Sequence, residues 1–263
     1  MDIERLNRAV ELRDADKLEA ALREFKELEA VTPDPVERAM VLLNQSTVLA
    51  RMGKLDDAQD RTREAARLSP SAEVQCNALV SRASGLALAG QGKAAIAELD
   101  RALKEYPHVL QSSDYRFLYE DVQLRRGLLL VELERFAEGL AVLQECMTFD
   151  LGPEDRWKAL YNLGRCYFEL KDPARAKQKF LEFLEVGGDN AHVASAHFLL
   201  GTIYYNEGAD AKALMEFEWL LPRMAEVGWP GSVLYTWLAK THRMLGNKAE
   251  ADRYKALAKE SGR

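Results

Sequence analysis

The chain has 263 residues, 48% hydrophobic and 30% charged, with a net charge of −6, enough apolar material for a continuous core. The charge is spread evenly: 19 basic and 22 acidic residues run through Val131, and 17 and 20 follow it. The lack of a basic segment disfavours a nucleic-acid groove, and no apolar run approaches the roughly 20 residues that span a membrane. The start, Met1-Asp-Ile-Glu-Arg, lacks the basic and apolar regions of a secretory signal, so a cytoplasmic protein is expected.

In chain order, the sequence repeats itself. A pattern of Ala, a larger residue four positions on, a further core residue and then Pro reads Ala21, Phe25, Leu28, Pro33. It recurs 37 residues later as Ala58, Thr62, Ala65, Pro70, and after 37 more as Ala95, Leu99, Ala102, Pro107. A seven-residue insertion near 108–114 follows, and Ser112-Ser113-Asp114 reads as the N-cap of a lengthened helix beginning near Tyr115. The pattern resumes as Gly139, Leu143, Cys146, then Ala176, Phe180, Phe183, then Ala213, Phe217, Leu220, and ends as Ala251, Lys255, Ala258. Fixed-period self-similarity is the mark of a solenoid, an extended surface rather than a catalytic pocket.

Each period holds two stretches rich in Ala, Leu, Glu, Arg and Lys, all strong helix formers. Short turns divide them at Asp14-Ala-Asp16, Gly53-Lys54, Gly90-Gln-Gly92, Lys171-Asp-Pro173, Gly208-Ala-Asp210 and Gly246-Asn247. Pro33, Pro70 and Pro107 close the second helix of the first three repeats. Strand signals are absent. The pattern predicts one all-α domain over 1–263 with 14 helices in seven pairs. The pairs fall near 2–38, 39–75, 76–112, 120–156, 157–193, 194–231 and 232–263.

The clearest unit runs from Trp157 to Asp189 and holds Leu160, Leu163-Gly164, Tyr167, Ala176, Phe180 and Phe183. The next carries Leu200-Gly201, Tyr204, Ala213 and Phe217, and the last carries Tyr235, Leu238-Ala239, His242 and Ala251. These residues resemble the tetratricopeptide repeat (TPR) family. The resemblance implies a right-handed α-solenoid of about seven helix-turn-helix repeats. Gly164 and Gly201 would be close-packing positions, with Tyr167 and Tyr204 filling the gap to the next helix. Where the family has Leu before the small residue, this chain has Arg8, Gln45, Arg82 and Arg126. These expect either snorkelling heads or rotated first helices.

The resemblance also implies a concave face lined by the first helix of each pair. Transferred to the last three repeats, that face holds Lys158, Tyr161, Asn162, Arg165 and Phe168. It continues with Ser195, Phe198, Leu199, Thr202 and Tyr205, then Val233, Thr236, Trp237, Lys240 and Arg243. An aromatic strip rimmed by cations suits a peptide segment with some acidic character. The rival reading packs the same rings between repeats. A polar column through Asn7, Asn44 and Asn162 resembles the asparagine ladders of some TPR proteins, where an amide serves a bound backbone. The family's carboxylate clamp for chaperone tails matches only at Asn162, so a chaperone-tail adaptor is not expected.

Other chemistry finds little support. Cys76, Cys146 and Cys166 form no CxxC motif and read as buried free thiols. His192 and His197 are five apart and share no helical face, while His197 and His242 fall on core positions. No phosphate loop or nucleophile-base pair occurs. The expectation is a non-enzymatic scaffold or adaptor needing no metal or cofactor, with a protein or peptide as partner. The alternatives are a self-assembling structural subunit and a peptide-sensing regulator acting on a partner.

Overall fold

The computed structural model describes residues 1–188, 190–224 and 231–262. Asp189, where the clearest repeat ends, the stretch 225–230 late in the sixth repeat, and Arg263 lie outside the described residues. The described residues hold 15 α-helices and no strand. They are α1 (Ile3–Asp14), α2 (Leu18–Val31), α3 (Pro35–Arg51), α4 (Leu55–Leu68), α5 (Ala72–Leu88), α6 (Gly92–Glu105), α7 (Pro107–Leu110) and α8 (Arg116–Glu132). There follow α9 (Phe136–Cys146), α10 (Pro153–Glu169), α11 (Pro173–Val186), α12 (Ala191–Asn206), α13 (Asp210–Leu220), α14 (Gly231–Met244) and α15 (Lys248–Glu260). They fall into two compact units, Met1–Arg135 and Phe136–Arg263.

The seven first helices end alike. One left-handed residue follows each: Asp16, Gly53, Gly90, Glu134, Lys171, Gly208 and Gly246, with φ between 58° and 79°. The next amide reaches back to a carbonyl in the last turn, as in Lys54 N to Leu49 O (2.9 Å), Arg135 N to Leu130 O (2.9 Å) and Asn247 N to His242 O (2.9 Å). This double closure is the Schellman motif, which satisfies carbonyls the helix leaves open. It fixes the sharp reversal from first to second helix. Glycine fills the left-handed site in four turns without strain. The fourth turn, at Glu134, has no glycine and no sequence mark.

Close approach holds the hairpins together. A Cβ added at Gly164 would meet the Phe180 ring at 2.6 Å, and one at Gly201 would meet the Phe217 ring at 2.6 Å. Both rings are fully buried, so neither can yield. The equivalent places in the first unit carry Ala9 with Phe25 and Ala83 with Leu99, all buried. In the second repeat the pair is polar. Ser46 Oγ lies 2.7 Å from Thr62 Oγ1, and both hydroxyls reach the Ala58 carbonyl, at 2.8 and 3.1 Å. Paired in this way, two buried hydroxyls cost little.

The four departures from the family pattern each find a partner on a second helix. Arg8 pairs with Glu24 at 3.5 Å, Arg82 with Glu98 at 2.8 Å, and Arg126 with Asp100 at 2.6 Å. Gln45 is fully buried and donates through Nε2 to Glu29 (2.9 Å) and to the Phe25 carbonyl (3.3 Å). Polar pairing between helices accommodates these residues.

Two expectations are corrected. The insertion forms α7 and a 3-10 turn, Ser113–Tyr115, and Ser112 caps that turn through the Asp114 amide (3.3 Å). Helix α8 then has 17 residues, the same as α3, α5 and α10, so it is not lengthened. In the last pair Lys255 does not take the large apolar place. It is exposed, and Tyr254 is buried instead, stacked on His242 (5.4 Å, 7°) and Tyr235 (6.0 Å, 27°).

Glycine chemistry supplies two tests. Gly164→Ala and Gly201→Ala each lower stability by about 1–3 kcal/mol through overpacking. Gly85→Ala, in α5 with nothing within 4 Å of the added Cβ, raises it by about 0.5–1 kcal/mol. Denaturant midpoints of the three variants check the contrast. Lys171→Gly removes a left-handed lysine and raises stability by about 0.5–1 kcal/mol. Asp16→Gly gives no gain on the same urea titration, because it also deletes the 2.9 Å ion pair to Arg51.

Candidate functional site

The first-helix face of the second unit is built by α10, α12 and α14, each held by the second helix beside it. On α10, Tyr161 is buried, 6% exposed. Its ring sits 5.3 Å from Phe183, 6.1 Å from Phe180 and 4.5 Å from His192. Tyr161 was expected on an open strip, but it packs the junction of α10, α11 and α12. Thr202 is also buried and donates to the Phe198 carbonyl of its own helix (3.0 Å). For Tyr161 the rival reading, packing between repeats, describes the structure. Phe168 is half-buried against the same core, with Lys171 Nζ 6.0 Å over its ring.

The rings on α12 and α14 form a more open cluster. Phe198, Tyr205 and Trp237 are all half-buried. Tyr205 and Phe198 meet Trp237 nearly at right angles, at 5.4 Å and 81° and at 6.3 Å and 87°. Trp237 stacks on the buried Phe217 at 5.7 Å, and Phe198 meets that ring edge-on at 5.9 Å. Edge-to-face contacts favour aromatic pairs beyond their buried area. The cluster is therefore anchored below and partly bare above. Lys240 Nζ lies 4.7 Å over Trp237.

The polar positions divide by what they already bind. Lys158 pairs with Glu154 at 2.5 Å. Asn162 donates to the Lys158 carbonyl (2.9 Å) and accepts from Arg165 Nη1 (3.4 Å). Lys240 and Arg243 are exposed. In the first unit, Asn44 donates to the Met40 carbonyl (3.0 Å) and accepts from Arg13 Nη1 (2.9 Å). Asn7 is exposed on α1. The amides of Asn44 and Asn162 each use one N–H and one carbonyl lone pair within their own units and keep a second of each.

One constellation has no counterpart in the repeat pattern. His197 Nδ1 lies 2.6 Å from Glu216 Oε2, and its ring stacks on Trp219 at 3.8 Å. The Arg223 guanidinium also lies 3.8 Å from the Trp219 ring. His197 faces its own second helix, as its core position predicts, but Trp219 and Arg223 depart from the repeat and carry no periodic signal. All three cysteines are buried and free, and burial pushes the Cys76 and Cys166 thiols up to about 11, so they stay protonated. Among the described residues, no three His, Cys, Asp or Glu side chains group as metal ligands.

His192 gives the face a pH dependence. Its ring lies 4.5 Å from Tyr161, tilted by 33°, and 5.7 Å from Trp157. Partial burial, and then the Arg165 charge, hold its pKa below the usual 6.5. As pH falls through 6.5 the unfolded chain takes up this proton more readily than the folded one. Stability therefore drops with falling pH and levels off once the folded His192 is itself protonated. His192→Phe flattens that part of a stability profile taken between neutral and mildly acidic pH. An unchanged slope shows that His192 does not set it.

Residues 158–186, spanning α10 and α11, match the sequence model of the tetratricopeptide repeat. No curated protein matches the chain in sequence. Its fold is similar to that of PilF from Pseudomonas aeruginosa, with a TM-score of 0.62 at 20% identity, over 86% of this chain and 92% of that one. It is also similar to the C-terminal part of a TPR protein from Cytophaga hutchinsonii, with a TM-score of 0.60 at 16% identity, over 94% and 92%. PilW, a type IV pilus biogenesis factor, aligns with a TM-score of 0.58 at 17% identity, over 83% and 91%. One repeat thus matches the family's sequence model, and the fold of the chain is similar to that of tetratricopeptide-repeat structures.

Proposed function

We propose that this chain is a non-catalytic protein-interaction scaffold and that it captures a partner segment on the first-helix face of its second unit. One observation carries the reading: Phe198, Tyr205 and Trp237 stand half-exposed in a cluster anchored on the buried Phe217. Large rings with few rotors to freeze suit interface anchors. Because they are already ordered, binding pays little for fixing them. Phe168, Asn162, Arg165, Lys158, Lys240 and Arg243 would frame the same segment. Tyr161 and Thr202 would support it from beneath. Asn44 and Asn7, which belong to the first unit, are not part of this contact face.

The shared 37-residue period supports reading both units as one repeat array. Free, buried cysteines suit a reducing compartment, which favours the cytoplasm. No helix among the described residues is long and apolar enough to cross a membrane.

Panning random displayed peptides of about twelve residues against the full chain tests capture. Peptide families are expected to enrich, and Tyr205→Ala with Lys240→Ala is expected to weaken them at least about tenfold. Far-ultraviolet circular dichroism of the variant stays that of the parent. Enrichment of peptides that the variant binds equally well moves the site elsewhere.

A further inference from the structure

The charge on this face is one-sided. The inner positions of α10, α12 and α14 carry Lys158, Arg165, Lys240 and Arg243 and no Asp or Glu, in a chain of net charge −6. Several cations elsewhere in the second unit hold carboxylates. Lys177 pairs with Glu207 at 2.7 Å, Lys179 with Glu182 at 2.8 Å, and Arg175 with Asp172 at 2.5 Å. On the face, among the described residues, only Lys158 pairs with a carboxylate. Among the described residues Arg165 bonds only the Asn162 amide, Lys240 only the Trp237 ring, and Arg243 makes no ion pair.

The equivalent face of the first unit differs. Its cations are Arg13 and Arg125. Arg13 is held by Asp14 (2.9 Å) and Asn44, and Arg125 by Asp121 (2.7 Å) and Ser84 (3.3 Å). Its remaining inner positions on α3 and α5 include Thr47, Asn77 and Ser84, whose side chains donate to carbonyls of their own helices. That face offers neither bare rings nor uncommitted charge.

We infer that the partner segment is acidic and that it docks on the second unit alone, its carboxylates meeting Arg165, Lys240 and Arg243 beside the Phe198, Tyr205 and Trp237 rings. The inference rests on the capture reading above. Three like charges left without counter-ions on one face repel one another and are relieved by an anionic partner. Arg165 and Arg243 can take a carboxylate through two parallel N–H donors. Lys240, over Trp237, adds a point charge where an apolar side chain of the segment would rest.

The peptides enriched on the full chain provide the test. They are expected to be net acidic, to lose affinity steeply between low and moderate salt, and to lose about a hundredfold on Arg165→Glu with Lys240→Glu and Arg243→Glu. Arg13→Gln, in the first unit, leaves their affinity unchanged. The milder set Arg165→Gln, Lys240→Gln and Arg243→Gln is measured alongside and falls between parent and reversal. Enrichment of neutral or basic peptides overturns the acidic inference and leaves capture standing, as does binding indifferent to the charge reversal in a folded variant. Loss of affinity on Arg13→Gln overturns confinement to the second unit. If no peptide enriches, capture itself falls and this inference with it.

Discussion

The hairpins depend on one steric constraint, a residue with little or no side chain placed opposite a large buried one. At Gly164 and Gly201 the phenylalanine rings of the second helix occupy the space a Cβ would need. That contact sets how closely paired helices approach, and so where the opposite faces of the first helices lie. Tyr161 and Trp237 are positioned through the same phenylalanines, Tyr161 against Phe180 and Trp237 against Phe217. The candidate face is therefore the outer side of the packing core, and its geometry follows from the glycines behind it.

This coupling explains why the aromatic residues divide as they do. A ring at an inner position packs down as far as the neighbouring helices leave room. Tyr161 lies against Phe180, Phe183 and His192 and disappears into the junction. Tyr205 meets Trp237 edge-on near the end of α12, where fewer groups cover it, and keeps part of its ring in solvent. Equal spacing along the sequence does not imply equal exposure. What covers a ring comes from the adjacent repeat, and adjacent repeats differ.

Much of the fold was legible in the sequence because the period is a physical repeat. The glycine turns, the small-against-large pairs and the prolines after second helices all appear at fixed intervals. The fourth turn was not legible. Glu134 takes a left-handed conformation with no glycine to announce it, held by backbone hydrogen bonds rather than by its own preference. Ser46 and Thr62 look like a defect in the core pattern until their hydroxyls are seen to bond each other. Lys255 matches the spacing, yet it is exposed and Tyr254 fills the core, stacked on His242 and Tyr235. The candidate face was legible in residue type and position but not in burial. Arg223 over Trp219 lay outside the repeat and left no pattern to find.

Charge pairing then separates the two units more sharply than the shared repeat suggests. In the first unit the polar departures, Arg8, Arg82 and Arg126, are matched by acids on second helices, and its inner cations are matched as well. Exposed pairs of this kind add little stability. Their effect is to leave no strong field on the surface. On the inner face of the second unit Arg165, Lys240 and Arg243 make no ion pair among the described residues, and Lys240 lies over the half-buried Trp237. A repeat protein needs the same core in every hairpin to stack, but its inner positions carry no such burden. They can differ from one unit to the next without cost to the fold, and in this chain the difference is concentrated where rings and uncommitted cations coincide.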